Sequence, residues 1–93
     1  MSDDPEGERL RLWLVERSYD DRNLITLVYA TTDGERYHQR ERSANLVMGS
    51  GDVTAAMDAD PDELAAVEDE ERRERYASEA ERMAADHDPD DVI

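Results

Sequence analysis

Leu24-Ile25-Thr26-Leu27-Val28-Tyr29-Ala30-Thr31-Thr32-Asp33-Gly34-Glu35-Arg36-Tyr37 is the stretch whose reading decides the fold class. Residues 24–31 are β-branched, aromatic or otherwise apolar at nearly every position, which reads as a strand. Odd and even positions are apolar alike, so this strand is expected at the centre of its sheet with both faces covered. Asp33-Gly34 then supplies the positive φ values of a two-residue type I′ hairpin. Such a turn pairs Ala30 with Tyr37 and Val28 with Gln39. The returning strand, residues 35–42, carries Arg36, His38, Arg40 and Arg42 on one face. Tyr37, Gln39 and Glu41 take the other.

Upstream, residues 8–17 alternate. Leu10, Leu12 and Leu14 point one way; Arg9, Arg11, Trp13 and Val15 point the other. A period of two is a strand. Residues 18–23 are turn-forming by composition. The length of that turn is open, and it matters. A four-residue loop puts the three leucines on the face of Leu27, Tyr29 and the Arg stripe. A three- or five-residue loop puts Trp13, Arg9, Arg11 and Arg17 there instead, because a one-residue slip exchanges the faces.

Downstream, residues 43–52 read as a loop, with Leu46, Val47 and Met48 docking on the core. Residues 53–58 offer a short fourth strand. Asp60, Pro61 and Glu63 form a helix-start signature of N-cap, N1 and N3 residues. Helical character runs from there to about Asp86, yet the apolar stripe changes side. Leu64 and Val67 form one stripe; Tyr76, Ala80, Met83 and Ala84 form another. Val67 and Tyr76 are nine residues apart, which places them on opposite sides of a straight helix. The favoured reading is a break near Asp69, with Asp69 as a second N-cap. The alternative is one helix whose two ends pack on different partners. Residues 1–7 and 87–93 read as disordered acidic tails.

The expectation is a single α+β domain over residues 1–93. It comprises an antiparallel meander of three strands, or four if residues 53–58 pair. One or two C-terminal helices pack on one face.

The net charge is -15, all 11 basic residues are Arg, and Cys is absent. Without Cys, disulfides and thiolate zinc sites are excluded. Self-repulsion of this size opposes a compact state at ordinary ionic strength. Molar salt shortens the Debye length to about 3 Å and removes most of the penalty. Together with the lack of Lys, this suggests a halophile cytosolic protein. The acidic opening Met1-Ser2-Asp3-Asp4 is unlike a signal peptide, and no apolar run approaches the ~18 residues of a membrane span. Charge is unevenly placed: residues 8–50 sum to zero, and residues 51–93 carry -12. A neutral β half is joined to an acidic helical half.

The runs Leu12-Trp13-Leu14-Val15-Glu16-Arg17, Tyr29 to Tyr37, Asp60-Pro61-Asp62-Glu63-Leu64 and Arg75 to Ala84 resemble small uncharacterised proteins of haloarchaea. The resemblance covers most of the chain. It implies a salt-rich cytoplasm and no assigned activity, and it carries no site residues.

Four cationic or potentially cationic side chains on one strand face could track a phosphate backbone. Trp13 or Tyr29 alongside would give bases a stacking platform. The blander reading is that the arginines pair with acids, or that their stems guard an edge strand. Concentrated salt and an acidic chain weigh toward the blander one. Asp58-Ala59-Asp60-Pro61-Asp62 begins like a calcium loop, but Glu63 stands where that loop needs Gly. The Asp86 to Asp91 run has one His and no spaced partners. No phosphate loop, nucleophile elbow, metal site or cofactor motif is present in the sequence.

One small helical layer covers only one face of an apolar strand. The leading expectation is therefore a non-catalytic homodimeric interaction module, with a second copy covering the other face. Its interface would include Trp13, Leu27, Tyr29, Arg36, His38, Arg40 and Arg42. The alternative is a nucleic-acid-binding module using the basic face of the third strand.

Overall fold

The computed structural model describes residues 9–43 and 53–93. The expected disorder of residues 1–7 and docking of Leu46, Val47 and Met48 lie outside the described residues. Strands β1 (Leu10–Tyr19), β2 (Leu24–Ala30), β3 (Arg36–Ser43), β4 (Ala56–Ala59) and β5 (Ala65–Ala66) precede one helix, α1 (Glu70–Asp86). The sheet order is β4-β1-β2-β3-β5, and every neighbouring pair is antiparallel. The fold is α+β, as expected, but the sheet has five strands rather than three or four. The meander is the expected one; the two short additions flank it. β4 overlaps the expected strand 53–58 only at residues 56–58 and runs on to Ala59, aligned on the first half of β1.

β2 is central. Its register with β3 pairs Ala30 with Tyr37, Val28 with Gln39 and Leu27 with Arg40. That register is the one the Asp33-Gly34 turn predicts, although the turn itself differs. Gly34 donates its N–H to the Thr31 carbonyl at 2.9 Å, and Thr31 donates to the Arg36 carbonyl at 3.1 Å. Only Gly34, at φ 73°, is left-handed there. Negative φ at Thr32 and Asp33 makes this a type I turn followed by a left-handed residue, in a four-residue loop, and not type I′.

Both predicted parities of β1 occur in one strand. Near the turn, Tyr19 faces Ile25 and Arg17 faces Leu27; farther along, Leu14 faces Tyr29 and Trp13 faces Ala30. A β-bulge between Leu14 and Glu16 absorbs the extra residue. A three-residue loop sets the first register: Asn23 donates to the Asp20 carbonyl at 3.1 Å, and Asp20 donates to the Leu24 carbonyl at 2.8 Å.

The helix start at Asp60 yields only a 3-10 turn, Pro61–Glu63, after which the chain is extended through β5. The break near Asp69 is real. Asp69 caps α1, its carboxylate accepting the Arg72 N–H at 2.9 Å. β5 can sit at the edge because the break frees residues 64–68 from helix.

α1 covers one face of the sheet. Tyr76 packs with Val28, Ala30 and Val67; Ala80 packs with Trp13, Ala55 and Ala56. On the opposite face Leu12, Leu14, Ile25, Leu27 and Tyr29 pack with Val53, Ala59 and Leu64. Leu27 is 2 % exposed, Tyr29 1 %, Val28 5 % and Ala30 0 %. Both faces of β2 are thus buried within one copy, which overturns the argument that a second copy must cover one of them. The error lay in counting helices as the only cover. Segments around Val53 and Leu64 cross the far face without forming a helix.

Residues 87–93, expected to fray, fold back on the sheet margin. Ala55 donates to the Asp91 carbonyl at 2.8 Å, and Ile93 donates to the Val53 carbonyl at 2.8 Å.

Candidate functional site

The bulge in β1 decides which side chains accompany the Arg stripe. Beyond it, residues 17 and 19 join the face of Leu27 and Ile25. Cross-strand rows on that face read Arg17–Leu27–Arg40, Tyr19–Ile25–Arg42 and Leu14–Tyr29–His38. The sheet therefore carries Arg17, Arg36, His38, Arg40 and Arg42 on one side. Arg17 was legible as one of the two parities; Tyr19, 65 % exposed, was missed because its composition places residues 18–23 in the turn, whereas β1 runs on to Tyr19.

The aromatic half of the predicted site is not available. Trp13 lies on the opposite face, buried against Ala55, Ala56 and Ala80. Tyr29 is on the stripe's face but is buried, its hydroxyl donating to the Thr54 carbonyl at 2.8 Å. Burial pushes that hydroxyl's pKa up, with the Thr54 hydrogen bond opposing. Leu27 is core. None of the three can meet a partner or stack a base. Arg36 is exposed and lies opposite Ala66; His38, Arg40 and Arg42 are half-buried. The His38 Nδ1 is 3.3 Å from the Glu63 carbonyl oxygen, so the 3-10 turn touches one end of the stripe.

Among the described residues, the ion pairs made by arginine involve Arg9, Arg11, Arg22, Arg75 and Arg82, and none involves the stripe. Arg11 Nε meets Asp58 Oδ1 at 2.6 Å, directly across β1 and β4. Arg9 meets Asp60 at 3.8 Å. Two of the three carboxylates that resembled a calcium loop, Asp58 and Asp60, are thus paired with guanidinium groups. No group of three or more metal-ligating side chains converges among the described residues.

Tyr76 and Arg75 on α1 meet Glu16 at the bulge. The Tyr76 hydroxyl donates to Glu16 Oε1 at 3.2 Å, and the Arg75 guanidinium lies 3.4 Å from the same oxygen. Burial, then the Glu16 charge, raises the Tyr76 pKa. The bulge that sends Arg17 to one face also turns Glu16 toward the helix on the other. This cluster fixes α1 on the sheet. An open cleft of about 670 Å³ beside it is lined by Tyr37, Val67, Asp69 and Arg72. Of its two carboxylates, Glu68 and Asp69, the second is spent on the helix cap.

Residues 6–93 match DUF7967, a family of unknown function. The chain belongs to that family. The DUF7967 match spans every described element, so sheet, bulge and stripe all lie within it. No curated protein and no solved structure matches the chain. No helix among the described residues is long and apolar enough to cross a membrane.

Proposed function

We propose that this protein is a non-catalytic interaction module that binds an anionic protein partner along β3. The observation that supports it is the stripe of Arg36, His38, Arg40 and Arg42, joined by Arg17 through the bulge. In a chain of net charge -15, this side of the sheet is the exception. An acidic surface elsewhere would orient the partner by repulsion as much as the stripe does by attraction.

Nucleic-acid binding is the weaker reading. Its stacking platform needed Trp13 or Tyr29, and both are buried. Without stacking, only phosphate contacts remain, and these fade steeply with salt. The homodimer has lost its physical motive, since one chain covers both faces of β2. Edge pairing of two copies is also disfavoured. A symmetric antiparallel β3 pair keeps each face on its own side, so stripe meets stripe and like charges oppose. Acidity and the lack of Lys support a working place in salt-rich cytoplasm, so binding must survive screening.

The test is fluorescence anisotropy with a labelled Glu-rich peptide and a labelled single-stranded RNA, across a KCl series. We expect the peptide to bind and Arg40→Glu with Arg42→Glu to weaken it by about tenfold, or roughly 1.4 kcal/mol. Binding of RNA alone would replace this reading with the nucleic-acid one. Binding of neither would end both.

A further inference from the structure

We infer that the partner is held by strand addition: residues 39–43 of β3 take up an extended acidic segment as a further strand, with carboxylates at alternate positions. The inference rests on the anionic-partner reading and adds the mode of capture.

The backbone of β3 supports it. In an antiparallel ladder, residues alternate between bonding one neighbour and the other. The Thr31 N–H to Arg36 carbonyl bond fixes the phase of the β2–β3 ladder. Arg36, His38, Arg40 and Arg42 then bond to β2. Tyr37, Gln39, Glu41 and Ser43 turn their N–H and C=O groups outward. β5 pairs with Arg36 and Tyr37, and the Val67 N–H reaches the Glu35 carbonyl at 2.9 Å. There β5 ends, because the Pro61–Glu63 turn bends the chain away. Among the described residues, no strand pairs with the outward groups of Gln39, Glu41 and Ser43.

The side chains specify the guest. With Gln39 and Glu41 as the hydrogen-bonding positions, Arg40 and Arg42 occupy the intervening ones. There, facing residues approach most closely, with Cα atoms ~4.5 Å apart. A carboxylate opposite each meets a guanidinium. Successive acids two residues apart repeat every ~6.8 Å, the same spacing as the stripe. A second copy of β3 would instead oppose arginine to arginine. An RNA strand would leave the outward amides without regular partners. An acidic strand uses both the charges and the amides.

The test uses the full chain and three synthetic peptides of identical charge. The first alternates Glu and Thr over seven residues; the second groups its Glu residues together. The third is the alternating peptide with N-methyl groups on alternate backbone nitrogens, which removes donors and keeps charge. Anisotropy gives affinity, and NMR hydrogen exchange follows the Gln39 and Glu41 amides. We expect the alternating peptide to bind at least about tenfold tighter than the other two. The two amides should slow in exchange on binding. The variant Gln39→Pro removes an outward N–H that bonds to no strand among the described residues, and proline is tolerated at such edges. It should abolish the preference with the stripe's charge intact. If it fails to fold, the N-methyl arm still decides. Equal binding of all three peptides, with unchanged amide exchange, overturns strand addition and leaves the anionic-partner reading standing. Absence of binding by every acidic peptide removes both.

Discussion

The turn over residues 20–23 and the turn over residues 31–34 share one backbone form. Each has an i to i+3 hydrogen bond and then a left-handed residue, Asn23 at φ 70° or Gly34 at φ 73°. Each is braced by an aspartate. Asp20 accepts the Arg22 N–H at 3.0 Å; Asp33 accepts the Thr31 hydroxyl at 2.6 Å and the Glu35 N–H at 3.0 Å. Their surroundings differ. The first turn stands in solvent. The second is clasped: α1 lies on Gly34, and Val67, just past β5, donates its N–H to the carbonyl of the one additional loop residue, Glu35. A left-handed position in the open takes Asn; the same position under a helix requires Gly. The contrast shows that a turn's residues can be read from backbone geometry only until a distant segment packs on them.

Gly34→Ala should give the largest effect. A Cβ there would collide with the Arg73 carbonyl oxygen and lie 2.9 Å from the Ala77 nitrogen. Left-handed strain of 1–2 kcal/mol adds to an overpacking penalty of similar size, so we expect a loss of about 3 kcal/mol. Urea unfolding followed by circular dichroism measures it. A loss under about 1 kcal/mol would mean that α1 does not rest on this turn.

Much of this contrast was invisible in the sequence. Asp33-Gly34 announced a hairpin and its register, because the alternation of β2 and β3 admits few others. It did not announce a type I turn, because the reason is Arg73 and Ala77, some forty residues away. Asp69 as a cap was legible from local chemistry and from the stripe that changes side. β5 was not, since Ala65 and Ala66 have no strand pattern and pair only because β3 lies beside them. The stripe was legible because strand parity places it. Its companions were legible only as two alternatives: a bulge at Val15 and Glu16 has no composition signature, and it lets Arg17 and Leu14 share the stripe's face. The burial of Trp13 and Tyr29 depended on Ala55 and Thr54, which read as part of a short strand with nothing to say which side chains it would cover.

Tyr76→Phe should come next, at about 1 kcal/mol. It deletes the hydroxyl bond to Glu16 and keeps the ring's packing. Because Glu16 faces α1 only through the bulge, Glu16→Gln combined with Tyr76→Phe should cost less than the sum of the two. A double-mutant cycle reads the coupling. Strict additivity would separate the bulge from the helix.

Asp33 gives an effect of similar size with a pH signature. The Thr31 hydroxyl, then the Glu35 amide, hold its carboxyl below the ordinary 3.8. A folded pKa below the unfolded one stabilises above the unfolded value, and that stabilisation is lost as pH falls through the folded one. Asp33→Asn should lose about 1 kcal/mol at neutral pH and show a shallower decline below about pH 4. Asp20 is shifted the same way, chiefly by the Arg22 amide, and its side chain is 34 % exposed. Asp20→Asn should also soften the acid limb.

The smallest effect is the reciprocal of the first. Asn23→Gly keeps a left-handed residue in a turn that nothing covers. It relieves residual strain at Asn23 and adds freedom to the unfolded chain, and these nearly cancel. We expect a change within about 0.5 kcal/mol. Gly34→Asn, the same exchange reversed, meets the Arg73 carbonyl as alanine does and should cost about as much as Gly34→Ala. Asparagine is among the residues most tolerant of left-handed backbone, so backbone preference alone predicts that Gly34→Asn is mild. Comparing the two exchanges therefore separates conformation from packing. If both are mild, the turns differ only in sequence. If only Gly34→Asn is severe, α1 is what makes the second turn demand glycine.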